Sequence, residues 1–125
     1  MAAVLLVEDV PIVRMLLREF LESAGHDVKE CEGGEEAARL AGDSRFDAVV
    51  TDLCMKEGDG LAFIRNQRSN GATMPIIAMT AGSPGRPQGK SGDLAIRAGA
   101  TAVLMKPVTK SEILRAIADA VAACA

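Results

Sequence analysis

The sequence AVVTDLCM, residues 48–55, begins with an apolar, β-favouring run that ends in the carboxylate of Asp52. Three other apolar runs also end in a polar or charged side chain. Residues 4–7 (VLLV) lead into Glu8 and Asp9, residues 76–79 (IIAM) into Thr80, and residues 102–105 (AVLM) into Lys106. Continuous apolar runs are typical of parallel strands that are covered on both faces. If these runs are parallel neighbours, one edge of the sheet collects all of these side chains, and that edge is the candidate site.

Helical patterns separate the apolar runs and indicate an alternating α/β chain. Pro11 suits the first turn of a helix whose apolar residues recur at helical spacing, and Gly25 ends that helix. Residues 27–31 form a weaker, more polar strand, as expected at a sheet edge. The other predicted helices cover about residues 35–40, 61–68 and 93–98 and the stretch after the capping-box pattern at Thr109. Strands that alternate with helices in this way predict a parallel sheet with helices on both faces.

The overall composition is that of an ordinary single domain. The chain has 125 residues, of which 49% are hydrophobic and 25% are charged. We therefore expect one domain over residues 1–125, with no output domain in this chain. No apolar run is long enough to span a membrane and no secretory signal precedes the first strand, so we expect a cytoplasmic protein. The net charge of −3 argues against nucleic acid as the main partner. The 3 cysteines lack metal-type spacing, and we expect reduced thiols.

The carboxylates at the predicted edge favour a divalent cation. Glu8, Asp9 and Asp52 cannot all be ionised at close range without raising the pKa of at least one of them. A hard cation with oxygen ligands resolves this conflict, and Mg²⁺ suits such a set. A carboxylate can also attack phosphorus and form an aspartyl phosphate. In such a reaction Lys106 and the cation would neutralise the phosphoryl oxygens, and Thr80 could form a hydrogen bond with one of them.

Several short motifs follow the order found in one known family. They are VLLVED at residues 4–9, DLCM at residues 52–55 with Asp59 and Gly60 after it, Thr80 with Ala81, AGA at residues 98–100, and Lys106 with Pro107. Over its whole length the chain resembles the receiver domain of bacterial two-component response regulators. Each motif is common alone, whereas all of them in order at the strand ends are specific. The resemblance implies a flavodoxin-like, doubly wound five-stranded parallel sheet in strand order 2-1-3-4-5, with five helices on both faces.

The resemblance also implies a role for each residue at this edge. Asp52 would accept a phosphoryl group from a histidine kinase or histidine phosphotransfer protein. Mg²⁺ would be held by Glu8, Asp9, the Asp52 carboxylate and the backbone carbonyl of Cys54, while Thr80 and Lys106 would bind phosphoryl oxygens. The small Ala81 would leave the site open, and the Lys106–Pro107 peptide bond would be cis. Phosphorylation would then alter the binding of a downstream effector that the sequence does not name, with only modest self-phosphorylation and autodephosphorylation.

Some positions depart from the family pattern. Val103 occupies the place of the usual aromatic switch residue, so coupling between Thr80 and an aromatic side chain cannot operate in its usual form. Val108 stands where a Phe often follows the Lys-Pro pair, and Lys56 replaces a common Pro. The Gly/Pro-rich loop predicted over residues 82–92 is longer than usual, and we expect it to be mobile. These differences leave the phosphoacceptor chemistry intact and affect the output mechanism.

Two other function classes remain open at this point. An aspartyl-nucleophile phosphatase or phosphotransferase needs a second Asp two residues after the nucleophile, where Cys54 stands. A flavodoxin-like cofactor-binding module needs a phosphate loop after the first strand, where Glu8 and Asp9 would repel phosphate. The stretch GRPQGKS, residues 85–91, approaches a nucleotide-binding P-loop, but it has three residues between its glycines instead of four, and Pro87 removes a backbone N–H.

The first predicted helix offers a surface for the phosphodonor. Ile12, Val13 and Met15 follow closely after the acidic pair and supply apolar side chains, although some of them must also face the core. We therefore expect the donor to dock on this helix and on the loops around Asp52.

Overall fold

A computed structural model describes residues 2–55, 60–81 and 88–124, without the side chains of 88–91 and 124. Strands and helices alternate along these ranges. The strands are β1 (Ala3–Val7), β2 (Asp27–Cys31), β3 (Ala48–Asp52), β4 (Ile76–Ala81) and β5 (Ala102–Lys106). The helices are α1 (Pro11–Ser23), α2 (Gly34–Asp43), α3 (Gly60–Ser69), α4 (Gln88–Ala98) and α5 (Lys110–Cys124). No helix in the described ranges is both long enough and apolar enough to cross a membrane.

All five strands pair in parallel in the order β2-β1-β3-β4-β5. Parallel neighbours need crossover connections, which the helices supply. The predicted doubly wound fold and its strand order are therefore confirmed. The order reverses between β1 and β3, because the chain goes to β2 on one side of β1 and then crosses to the other side. Ligands of such sheets bind beyond the carboxyl ends of the strands at this reversal.

Two apolar clusters cover the two faces of the sheet. Successive strand side chains point to opposite faces. Leu6 and Val50 accordingly pack beneath α1 and α5, whereas Leu5 and Val49 pack beneath α2, α3 and α4. Each of these four side chains is fully buried, and burial of a large aliphatic side chain contributes roughly 1.5–3 kcal/mol. The helices therefore hold the sheet from both sides and leave its carboxyl edge as the place where polar groups can gather.

Most element boundaries agree with the sequence predictions. The strand β2 is largely solvent-accessible up to Cys31, as predicted for an edge strand. Pro11 begins α1, and Gly25 follows its end with a positive φ of 87°. The helix α2 is longer than predicted and runs to Asp43.

The prediction of a loop over residues 82–92 was wrong for its last part. The helix α4 begins at Gln88 rather than at residue 93. Two glycines in its first turns lower the helical propensity and conceal the start of the helix in the sequence. The predictions for Lys56, for the turn at Asp59 and for residues 82–87 lie outside the described residues.

Candidate functional site

Asp52 ends β3 at the edge where the strand order reverses. Its side chain is only 5% exposed. The Oδ1 atom accepts a hydrogen bond of 3.2 Å from the backbone N–H of Cys54, and Oδ2 accepts one of 3.0 Å from the Lys106 ammonium. Both carboxylate oxygens of Asp52 thus have a fixed donor.

Glu8 and Asp9 follow β1, the strand next to β3. The Glu8 side chain is completely buried, and its Oε1 accepts a hydrogen bond of 2.5 Å from Lys106 Nζ. Its Oε2 accepts one of 3.2 Å from the backbone N–H of Val10. One carboxylate oxygen from each of Glu8, Asp9 and Asp52 lies within 4.8 Å of the others. The three predicted carboxylates therefore form one acidic cluster.

Lys106 ends β5 and connects the two buried carboxylates, Glu8 and Asp52, although it is far from both in sequence. Burial alone lowers the pKa of Lys106, but the hydrogen bonds to Glu8 and Asp52 outweigh that effect and raise the pKa above its ordinary value. The ammonium therefore stays charged at neutral pH. The peptide bond between Lys106 and Pro107 is cis, as the resemblance implied.

Glu8 is a carboxylate of this cluster whose ionised form is disfavoured. Burial raises the pKa of Glu8, and the nearby charge of Asp52 adds to this, whereas the hydrogen bonds from Lys106 and Val10 act in the opposite direction without cancelling it. Closely spaced carboxylate oxygens are the ligands that a hard divalent cation prefers. The donor set therefore fits a cation such as Mg²⁺, which would favour the charged form of Glu8.

Thr80 and Ala81 are the last residues of β4, the other neighbour of β3. Met79, the residue before Thr80, pairs with Asp52. Thr80 is buried, whereas Ala81 is exposed and pairs with Lys106. The residues predicted from the strand ends thus belong to the same edge of the sheet. Cys54 lies just beyond β3 with an exposed, free thiol.

Gly60 brings the start of α3 against the backbone of Asp52. A Cβ at position 60 would collide with the carbonyl oxygen of Asp52 and lie 2.8 Å from the Cα of Leu53. Because both are backbone atoms, no rotamer change relieves the collision. The sequence pattern includes this glycine, but only the structure gives the reason for it.

Arg14 is a residue of this region that the sequence reasoning missed. Its Nη1 donates a hydrogen bond of 2.8 Å to the backbone carbonyl of Glu8. The same guanidinium approaches Glu32 at 3.5 Å and Glu30 at 4.0 Å. Arg14 therefore ties the loop of Glu8 and Asp9 to the region of β2. No local signal identifies it, because its partners lie on another element.

The family model of the response regulator receiver domain matches residues 4–118. The chain belongs to this family. Receiver domains are the phosphorylation switches of two-component signalling, and this chain has that function. Response regulators interact with histidine kinases and with downstream effectors. The resemblance inferred from the motifs is confirmed, and membership favours the switch over the phosphatase and cofactor-binding alternatives.

Individual relatives agree with this membership. Response regulator MprA of Mycobacterium sp. (strain KMS) is 37% identical over 111 residues, which cover 89% of this chain and 46% of MprA. Virulence transcriptional regulatory protein PhoP of Shigella flexneri is 32% identical over 111 residues, which cover 89% of this chain and 48% of PhoP. The chain thus spans about half the length of these curated relatives. The receiver domain of the Francisella response regulator 1452 has the same fold, with a TM-score of 0.91, 20% identity and 100% coverage of both chains.

Proposed function

We propose that Asp52 is the residue at which this receiver domain is phosphorylated by a histidine kinase or histidine phosphotransfer protein. One observation carries the proposal: the nearly buried Asp52 carboxylate has both oxygens held by donors, beside two further carboxylates. In the reaction an oxygen of Asp52 attacks the phosphorus of a phosphohistidine. The P–N bond breaks, its electron pair returns to the imidazole, and an acyl phosphate forms on Asp52.

The acidic cluster would hold Mg²⁺ during this reaction. The proposed ligands are carboxylate oxygens of Glu8, Asp9 and Asp52 and the backbone carbonyl of Cys54. When bound, Mg²⁺ would supply positive charge to the phosphoryl oxygens and relieve the repulsion among the carboxylates. The spacing of the carboxylate oxygens, within 4.8 Å, and the raised pKa of Glu8 support this assignment.

Lys106 and Thr80 would bind the oxygens of the transferred phosphoryl group. The Lys106 ammonium lies 3.0 Å from Oδ2 of Asp52, and its flexible stem lets it follow a group added there. Thr80 adds a hydroxyl donor, and the small Ala81 beside it obstructs little. Phosphoryl transfer requires mainly positioning and charge neutralisation. These residues therefore support modest self-phosphorylation and autodephosphorylation rather than turnover of a separate substrate.

The direct test is incubation of the chain with acetyl phosphate and Mg²⁺, followed by intact mass and peptide mapping. We expect a mass gain of one phosphoryl group on the peptide with Asp52, and no gain for Asp52→Asn or after chelation of the metal. The matched control is Asp43→Asn, an exposed carboxylate at the end of α2, which should be labelled like the parent. Labelling that persists in Asp52→Asn would refute the assignment.

The phosphodonor would dock on an exposed apolar surface at the start of α1. Val10, Ile12, Met15 and Leu16 are 42%, 65%, 53% and 46% exposed, which is unusual for such side chains within one short segment. Val13, which the sequence grouped with them, instead packs against the core. Because α1 follows Glu8 and Asp9 directly, a protein bound here could bring a phosphohistidine to the site.

The docking proposal predicts different effects on transfer from a protein phosphodonor and on labelling by acetyl phosphate. We expect Ile12→Ser with Met15→Ser to slow transfer from phosphorylated histidine kinases while leaving labelling by acetyl phosphate unchanged. Ile96→Ser, at an exposed position of α4, is the control and should affect neither reaction. Equal transfer rates in the α1 variant and the parent, across a panel of kinases, would remove α1 as the docking surface.

The proposal treats residues 1–125 as one receiver domain that acts on other proteins in the cytoplasm. The free thiols of Cys31 and Cys54 favour a reducing compartment. The net charge of −3 favours proteins over nucleic acid as partners of this chain. Its downstream partner would be an effector protein that distinguishes the phosphorylated from the unphosphorylated form.

A further inference from the structure

A basic groove lies between α3 and α4, on the face of the sheet opposite to α1. It has a volume of about 570 Å³ and is lined by Arg65, Arg68, Ser69, Leu94, Arg97 and Ala98. These residues belong to the second halves of their helices. Because each helix runs back from the carboxyl edge of the sheet, the groove lies toward the edge away from Asp52. The groove is therefore separate from the acidic cluster and from the apolar surface of α1.

Two of the arginines have charges that the described part of the chain does not neutralise. Arg65 and Arg97 are exposed, and neither has a carboxylate within 4.0 Å among residues 2–55, 60–81 and 88–124. The half-buried Arg18 and the exposed Arg115 each pair with an acid one turn further along their own helix, whereas the exposed Arg39 and Arg45 also have no such pair among the described residues. Arg65 and Arg97 line the same groove, so one anion from outside the chain can contact both guanidinium groups.

Arg68 gives the groove a fixed floor. Its Nε donates to the carbonyl of Gly99 at 2.9 Å, and its Nη1 donates to those of Ala72 and Met74 at 2.9 and 2.8 Å. Gly99 has a φ of 120°, and a Cβ there would collide with the Arg68 side chain. The glycine therefore leaves room for the arginine, and the three carbonyls hold its guanidinium at the junction of α3 and α4.

We propose that this groove binds an acidic segment of a partner protein, with carboxylates on Arg65 and Arg97 and an apolar side chain on Leu94. A guanidinium matches a carboxylate in a bidentate geometry. Leu94 is 41% exposed and offers apolar contact that a peptide can use and a free phosphate cannot. The overall negative charge disfavours nucleic acid at long range.

A purely structural role explains only one of these two arginines. Arg97 lies in the last turn of α4, where a positive charge stabilises the helix dipole. Arg65 lies in the middle of α3, where that effect is small. Its exposed charge beside Leu94 and Arg97 thus carries the argument for a ligand. The proposal does not depend on the assignment of Asp52, and either can fail without the other.

The test is binding of a labelled synthetic peptide in which glutamates flank a leucine, followed by fluorescence anisotropy with the full chain. We expect Arg65→Gln with Arg97→Gln to weaken binding roughly tenfold, as two exposed charge pairs allow. The control removes two exposed arginines elsewhere, Arg39→Gln with Arg115→Gln, and should keep the parental affinity. Binding should also weaken with added salt. Amide shift mapping by NMR should place the peptide against α3 and α4.

Several results would overturn the proposal. If a peptide with glutamine in place of glutamate bound as tightly as the acidic peptide, recognition of carboxylates would be excluded. If the groove variant and the control variant lost the same affinity, or if the peptide shifted amide signals on another face of the protein, the groove would be excluded. Tighter binding of oligothymidylate through the same arginines would assign the groove to nucleic acid instead. Circular dichroism verifies that each variant is folded, and the single variant Arg65→Gln replaces the double variant if the latter unfolds.

Discussion

Replacing Lys106 by methionine tests the electrostatic balance of the acidic cluster. Methionine keeps a flexible apolar stem and removes the ammonium. The change leaves Glu8 and Asp52, whose side chains are 0% and 5% exposed, without the cation they share. Removing one partner of a buried pair costs roughly 3–5 kcal/mol. Because Lys106 itself is 20% exposed and water can enter its place, we expect a loss of about 2–4 kcal/mol at pH 7.5 without metal.

This loss should depend on pH in a defined direction. The pKa of Glu8 is raised in the folded chain, mainly by burial, and its hydrogen bond from Lys106 limits the rise. Without Lys106 the pKa of Glu8 rises further, and the folded state binds a proton more tightly than the unfolded chain. The stability difference between variant and parent should therefore be smallest near the unfolded value of 4.5 and grow as the pH rises through the folded pKa.

Magnesium should restore the variant. Without a competing ammonium, the carboxylates should bind the cation more tightly than in the parent, and metal at 100 times its Kd adds about 2.7 kcal/mol. Because the chain contains no Trp and no Tyr whose fluorescence could report unfolding, urea unfolding is followed by far-ultraviolet circular dichroism. Lys110→Met, at an exposed position of α5, is the control and should behave like the parent. A Lys106→Met variant as stable as the parent, or one that neither acid nor Mg²⁺ restores, would refute the reasoning.

Three further predictions concern the scaffold of the fold. Arg68→Ala loses three hydrogen bonds to carbonyls and should lower the free energy of unfolding by about 2 kcal/mol more than Arg65→Ala; equal urea midpoints would contradict this. Gly60→Ala places a Cβ against the backbone of Asp52 and forces α3 away from β3. It should slow labelling by acetyl phosphate at least tenfold per folded molecule. A parental labelling rate would show that the contact is dispensable. Burial lowers the pKa of His26, whose Nδ1 accepts a hydrogen bond of 3.1 Å from the Ala2 N–H. The unfolded chain therefore binds a proton more readily than the folded chain, and the parent should lose stability as the pH falls below 6.5. In thermal melts, His26→Gln should not show that loss.

The strand pattern was predictable because local and tertiary preferences agree. Residues 48–51 are apolar or β-favouring, and all five residues of β3 are buried in the centre of the sheet. The polar run 27–31 predicted an edge, and β2 is an edge. Parallel topology then brings strand ends together, which is how Lys106 could be placed near Glu8 across most of the sequence.

Other features could not be read from the sequence because their causes are not local. The start of α4 at Gln88 is hidden by two glycines of low helical propensity. The contacts of Arg68 with Gly99 depend on how α3 and α4 pack, and neither residue carries a sequence signal for the other. The basic groove was missed for the same reason, since Arg65 and Arg97 come together only when the two helices lie side by side.

The contacts of Lys106 give a physical reason why phosphorylation of this site should require a metal ion. Phosphorylation would add a group with a charge of about −1.5 to −2 beside three carboxylates. Among the described residues, Lys106 supplies the ammonium that contacts these carboxylates. If Lys106 turned toward the phosphoryl oxygens, the completely buried Glu8 would lose the hydrogen bond that lowers its pKa most. An uncompensated buried charge is costly, so Glu8 must either take up a proton or share a cation with Asp9. The same exchange of partners would couple phosphorylation at Asp52 to the end of β5, and the Lys106→Met variant with its magnesium titration tests the electrostatic half of that coupling.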